Sequence, residues 1–174
     1  NEIGIGPSKL KDIISFLKQT YCRSIGAEYL GIRKPEMVTW FQKKMESTKN
    51  TPQFSVEEKK RIYFYLKQAV GFEKSIHKKF VGQKRFSLEG VESIIPSLDA
   101  VIEKGAALGI EEFIIGMSHR GRLNVLANIL QKPFESIFQE YLGKEYEDGI
   151  ILGDVKYHLG YGKEVKANNG KRVC

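Results

Sequence analysis

The sequence predicts an α/β chain in two parts: a helical region over residues 1–75, then over residues 76–174 the opening part of a parallel α/β domain whose sheet is incomplete. Three observations carry this reading. Apolar residues in the first part recur at three- and four-residue spacing, the period of a helix with one buried face. Phe113-Ile114-Ile115-Gly116-Met117 is a short continuous apolar run, as expected of a strand buried on both faces. A basic, glycine-containing loop follows it and leads back into helical periodicity, which completes the helix, strand, loop, helix order of an α/β layer.

The elements follow in order. Pro7-Ser8 opens a helix with Leu10, Ile13, Ile14 and Leu17 on one face. Pro35 suits the first turn of a second helix, whose Met37, Trp40, Phe41 and Met45 share a face, and Asn50-Thr51-Pro52 breaks it. Ser55-Val56-Glu57-Glu58 reads as a capping box for a third helix with Ile62, Leu66 and Ala69 facing inward. The aromatic and methionine positions of this layer are expected in the core. Lys84 to Gly90 is a polar loop, expected to be solvated, leading into a helix that buries Ile94, Ile95, Leu98, Val101 and Ile102. Pro96 then falls in its first turn, and Gly109 suits its carboxyl-terminal cap. Leu123 to Leu130 is helical, Pro133 punctuates, and Phe134, Ile137, Phe138 and Tyr141 form the last apolar stripe.

With 174 residues, 41% of them hydrophobic, the chain can bury one sizeable core. It has no apolar stretch approaching the roughly 18 residues of a membrane span. The first residues show no signal-peptide pattern, and the chain begins without Met and stops at Arg172-Val173-Cys174, which suggests a piece of a longer protein. Two cysteines, Cys22 and Cys174, make neither a disulfide framework nor a metal site, which fits a reducing compartment. Twenty-eight Lys and Arg against 21 Asp and Glu give a net charge of +7. The basic pairs Lys43-Lys44, Lys59-Lys60-Arg61 and Lys78-Lys79 are spread among acidic residues, the pattern of solvated helix faces rather than of a nucleic-acid site.

The chemistry concentrates in two stretches, Gly116 to Leu126 and Gly153 to Gly160, which hold two of the three histidines, His119 and His158. The third, His77, reads as a surface residue. His119, Arg120 and Arg122 fall just past the carboxyl end of the expected strand, where ligands bind in open parallel sheets. The two arginines can fork onto phosphate or carboxylate oxygens, with Gly121 letting the backbone come close. They can equally cap and bridge the helix start, and the local pattern leaves both roles open.

Gly116-Met-Ser-His-Arg-Gly-Arg-Leu-Asn-Val-Leu-Ala-Asn128 closely resembles a signature of the first component of the 2-oxoglutarate dehydrogenase complex. Three more stretches are similar to that family and occur in its order: Tyr21 to Tyr29; Phe72 through Phe80 with Gln83 to Gly90; and Gly153 to Gly160. The resemblance covers nearly the whole chain. It implies a thiamine-diphosphate enzyme of the tricarboxylic acid cycle that decarboxylates 2-oxoglutarate and passes the succinyl group to the lipoyl arm of a succinyltransferase partner. Residues 76–174 would then open the thiamine-diphosphate-binding α/β domain.

By motif, the resemblance implies that Arg120 contacts thiamine diphosphate and that His119 and His158 act as catalytic and substrate-binding residues. His119 would line the active centre, and His158 would hold the substrate carboxylate or steer a proton. Imidazole suits those tasks because it titrates near working pH. Magnesium is implied too, with ligands expected outside these residues, since the family's Gly-Asp-Gly to Asn pattern is absent here and Asp154 alone is a weak candidate. The segment by itself is therefore not expected to turn over. A homodimer is implied, cytoplasmic in a bacterium or in the mitochondrial matrix of a eukaryote, with no nucleic-acid or membrane partner. Val91, Ser118 and Tyr161-Gly162 depart from the family's usual residues. Rival readings are a thiamine-diphosphate decarboxylase for another 2-oxo acid, a basic binding module, and a noncatalytic helical interaction domain.

Overall fold

The computed structural model describes residues 5–142, 160–168 and 170–173. It is mostly helical, in two compact units that divide between Ser55 and Val56. The first unit holds α1 (Leu10–Tyr21) and α2 (Pro35–Ser47). The second holds α3 (Val56–Lys79), α4 (Ile94–Ala107), α5 (Arg122–Asn128), α6 (Phe134–Tyr141) and the short strands β1 (Val165–Lys166) and β2 (Arg172–Val173).

In the first unit, α1 packs on α2, and Tyr21 donates its hydroxyl to Glu46 at 2.7 Å. Pro35 occupies the first turn of α2, where its missing N–H would find no helical partner anyway. Tyr29, from the loop between the helices, stacks on Phe41 with ring centroids 5.6 Å apart. The expectation that the α2 stripe forms core needs correcting. Met45 is buried, but Trp40 is 59% exposed and Met37 44% exposed. Within its unit α2 has α1 as its helical neighbour, and one helix covers only part of so wide an apolar face.

In the second unit, α3 packs against both α4 and α5. Its buried residues Ala69, Phe72, Glu73 and Ile76 recur at three- and four-residue spacing, so they share the face turned to those helices. Phe72, Ile76 and Phe80 meet Leu123, Leu126 and Ala127 of α5 and Ile137 and Tyr141 of α6 in one apolar cluster. Ala69, Leu88, Ile95, Val125 and Ile129 form a second. The helix read from Ile94 is α4, with Pro96 in its first turn; of its expected buried stripe Ile95 is buried, but Ile94 and Val101 are exposed. It closes as the sequence suggests: Gly109 takes φ +94°, Ile110 N–H donates to Gly105 O at 2.9 Å and Gly109 N–H to Ala106 O at 3.2 Å. Those paired bonds form a Schellman cap and satisfy carbonyls the helix would otherwise leave open.

The expected strand at Phe113–Met117 is the main difference. The run is in no strand, and among the described residues the sheet is the antiparallel β1–β2 pair, in which Val165 faces Val173. Burial along the run alternates: Phe113, Ile115 and Met117 pack against the apolar clusters, while Ile114 is 90% exposed. One face is covered, not two. A strand is defined by its neighbours, and among the described residues no backbone hydrogen bond joins 111–118 to another element.

A polar node holds the β1–β2 hairpin to the helices. Arg61 of α3 binds Asp99 of α4 bidentately, both bonds 2.6 Å, and reaches Glu103 at 2.8 Å. Glu103 in turn accepts the backbone N–H of Asn168, at 3.0 Å to its nearer oxygen. Tyr65 sits against this node. Burial first, then its hydrogen bond to Asp99, pushes its hydroxyl up from 10.0 to about 12.

Two measurements check this fold. Ile137→Ala, at a fully buried position, should cost about 2–5 kcal/mol in denaturant unfolding, whereas Ile114→Ala should stay within about 0.5 kcal/mol. Tyr65 has a folded-state pKa above its unfolded one, so its contribution is complete below pH 10 and fades as pH climbs towards 12. The stability difference between the native chain and Tyr65→Phe should therefore shrink across that window. A difference independent of pH would refute the assignment.

Candidate functional site

The site is built outward from a buried carboxylate. Glu73 lies in the middle of the apolar face of α3 and is only 4% exposed. An ion so placed persists only if its oxygens are bonded. Its Oε1 accepts Leu88 N–H at 3.1 Å and Asn124 Nδ2 at 3.0 Å, and its Oε2 accepts Arg85 Nη1 at 2.6 Å. Asn124, itself fully buried in α5, also donates to Ala69 O at 3.0 Å and accepts from Asn128 Nδ2 at 2.7 Å.

These bonds shape the strip from Arg85 to Leu88. Arg85 is held between Glu73 and Glu89 and is half-buried, so the strip is not the solvated loop its polarity suggested. The Ser87 hydroxyl, and then Arg85, hold the Glu89 carboxyl below its ordinary value. Phe86 takes φ +45°, a conformation that costs a bulky residue of the order of 1–3 kcal/mol and survives only where its surroundings dictate it.

The strip in turn holds the turn carrying the sequence-predicted residues. Gly121 N–H donates to Phe86 O at 2.8 Å, Arg120 Nη1 to Ser87 O at 3.3 Å, and the Phe86 and His119 rings lie 4.2 Å apart between centroids. Arg122 N–H closes the turn onto His119 O at 3.1 Å. Gly121 precedes α5 with φ +73°, and a Cβ built there would come within 2.2 Å of Leu88 Cδ1. Glycine is required twice over, for the backbone conformation and for the space.

The structure thus brings His119 and Arg120 together, both exposed, on one braced turn. Arg122 is half-buried and donates Nη1 to Met117 O at 2.8 Å, so of its two possible roles it serves the turn. His77 is exposed in the last turn of α3. His158 lies outside the described residues, as does the rest of its motif up to Leu159. A cleft of about 280 Å³ opens beside Phe113, Ile115, Met117, Arg122 and Tyr161, but His119 and Arg120 do not line it. Among the described residues no group of three or more His, Cys, Asp and Glu could hold a metal ion. None of the helices described is long and apolar enough to cross a membrane. Glu73 and Asn124 were not singled out from the sequence as site-building residues. Their one signal is polarity at positions whose helical period is otherwise apolar.

No family profile matches the chain. Individual relatives do. The chain is 43% identical over 161 residues, 92% of its length, to the 2-oxoglutarate dehydrogenase E1 component of Cupriavidus necator. It is 49% identical over 153 residues to the multifunctional 2-oxoglutarate metabolism enzyme of Mycolicibacterium vanbaalenii, and 40% identical over 173 residues to the E1 component of Brucella anthropi. All three relatives are named for 2-oxoglutarate. The chain is a homologue of the 2-oxoglutarate dehydrogenase E1 component, and it spans 17%, 12% and 17% of the lengths of these three relatives.

Gly121→Ala tests the braced turn. It should cost about 2–5 kcal/mol, combining roughly 1–2 for left-handed backbone with roughly 1–3 for overpacking against Leu88. Gly116→Ala, where a Cβ meets nothing within 4 Å, should be far milder in the same unfolding experiment.

Proposed function

We propose that this chain carries the cofactor- and substrate-facing turn of a thiamine-diphosphate-dependent 2-oxoglutarate dehydrogenase, with His119 and Arg120 as its working side chains. The observation that supports the reading best is the braced exposure of those two residues within a sequence 40–49% identical to enzymes named for 2-oxoglutarate.

The donor set fits the groups to be bound. Arg120 commits one guanidinium nitrogen to Ser87 O, and guanidinium N–H groups match phosphate oxygens in charge and geometry. The described residues supply no magnesium site, so no step is assigned to a metal here. When bound, thiamine diphosphate supplies the carbon that adds to the keto group and the system that takes up the electrons of decarboxylation. Arg120 would hold a diphosphate oxygen of the cofactor. His119, its ring against Phe86, would donate a hydrogen bond to the keto oxygen or carboxylate of the substrate and, at the keto oxygen, would hold or pass a proton. In this reading His158 binds the substrate carboxylate or steers a proton.

The net charge of +7 favours approach of a dianionic acid. Residues 76–174 form the opening part of the cofactor domain in this reading, following the helical region 1–75. Succinyl transfer to a lipoyl-bearing partner, magnesium held elsewhere in the protein, and a homodimer belong to the same reading. The relatives' organisms are bacteria, which supports the cytoplasmic placement.

The test uses the full-length parent protein with thiamine diphosphate and magnesium, following ferricyanide reduction with 2-oxoglutarate and with pyruvate. Turnover with 2-oxoglutarate should fall by about 10²–10⁴-fold in His119→Ala. Equal turnover in the variant would remove His119 from the chemistry, and preference for pyruvate would make the protein a decarboxylase for another 2-oxo acid.

A further inference from the structure

We propose that Glu73 is a positioning residue for the His119–Arg120 turn; the inference rests on the role given to that turn above. Glu73 is buried, and its carboxylate bonds Leu88, Arg85 and Asn124, which lie on both sides of the contact that braces the turn. On one side it holds the strip, through Leu88 N–H at 3.1 Å and Arg85 at 2.6 Å. On the other it holds α5, through Asn124 at 3.0 Å. The strip and the start of α5 then meet in the 2.8 Å bond from Gly121 N–H to Phe86 O.

The contacts form a closed ring: Glu73 to Leu88, along the strip to Phe86, across to Gly121, down α5 to Asn124 and back to Glu73. Opening the ring at Glu73 releases the Phe86 carbonyl from one side and the helix start from the other. Phe86 at φ +45° is then free to relax, and the ring 4.2 Å from His119 relaxes with it. Three donors converge on the two carboxylate oxygens, so both oxygens must accept. A glutamine of the same shape has one acceptor and must turn a donor towards either Arg85 or the Leu88 and Asn124 pair.

The experiment takes full-length protein with thiamine diphosphate and magnesium and compares Glu73→Gln with Arg61→Gln. The latter disrupts the Asp99 node and leaves the strip untouched. Amide hydrogen exchange at Gly121, melting temperature and 2-oxoglutarate-dependent ferricyanide reduction are measured on each. In Glu73→Gln, exchange at Gly121 should quicken at least tenfold and kcat should fall about tenfold or more. Arg61→Gln should lower the melting temperature without either effect.

Unchanged Gly121 exchange in Glu73→Gln overturns the proposal. So does equal quickening in Arg61→Gln, and so does quickened exchange with unaltered kcat. If Glu73→Gln does not fold, Arg85→Met opens the outer arm alone and should quicken Gly121 exchange in the same direction, with no change again overturning the idea. His119→Ala in the same assay separates the two claims. Full activity there removes the role of His119, while the exchange at Gly121 still reports whether Glu73 holds the turn.

Discussion

The constraint on which the second unit turns is the burial of one negative charge. A carboxylate on the apolar face of α3 loses several kcal/mol of hydration, and nothing in an aliphatic core returns it. Glu73 recovers it by drawing donors from two other segments, the 85–88 strip and α5. Those donors cannot leave without stranding the charge, so segments far apart in sequence are fixed to one another. Apolar burial is non-directional and does not by itself dictate how an irregular strip is oriented. The bonds to Glu73 have direction, and they confer on the strip a geometry that its own composition does not dictate.

Local features then fall into line with that geometry. Phe86 accepts a positive φ, and Gly121 accepts another where a side chain would strike Leu88. Leu88 is buried because its own N–H is tied to Glu73, which places its side chain under the turn. A second polar node, Arg61 with Asp99 and Glu103, does for the β1–β2 hairpin what Glu73 does for the strip. Glu73 on α3 fixes a non-helical segment directly, whereas Arg61 on α3 does so through Glu103 of α4, which accepts the Asn168 N–H. The apolar clusters supply the bulk of the packing, and these two nodes set where the irregular pieces lie.

This division explains what could be read from the sequence. The helices announce themselves because their signal is local: periodicity, Pro35 in a first turn, Gly109 at a cap. The pairing of His119 with Arg120 is likewise legible, being two adjacent residues beside a glycine. The failures are all of long range. Phe113–Met117 is apolar enough for a buried strand, yet burial depends on what lies opposite, and Ile114 faces solvent. Trp40 and Met37 carry the pattern of a core face, yet within their unit α1 covers only part of it. Arg85 reads as a loop residue because the acid that captures it stands twelve positions earlier, on a helix. Glu73 and Asn124 sit fifty-one positions apart, and no local pattern joins them.

The exposure of the turn also decides what it can contribute. Two unit charges 4 Å apart in water gain only about 1 kcal/mol, and about 4 kcal/mol at the dielectric of a protein surface. Arg120, facing solvent, therefore adds little affinity for an anion by charge alone. In the proposed role its value lies in pre-orientation: Nη1 donates to Ser87 O at 3.3 Å, and the Phe86 ring lies 4.2 Å from the imidazole of His119. Groups ordered before a ligand arrives lose less freedom on binding and need less reorganisation in a transition state. In that role the turn supplies orientation more than charge.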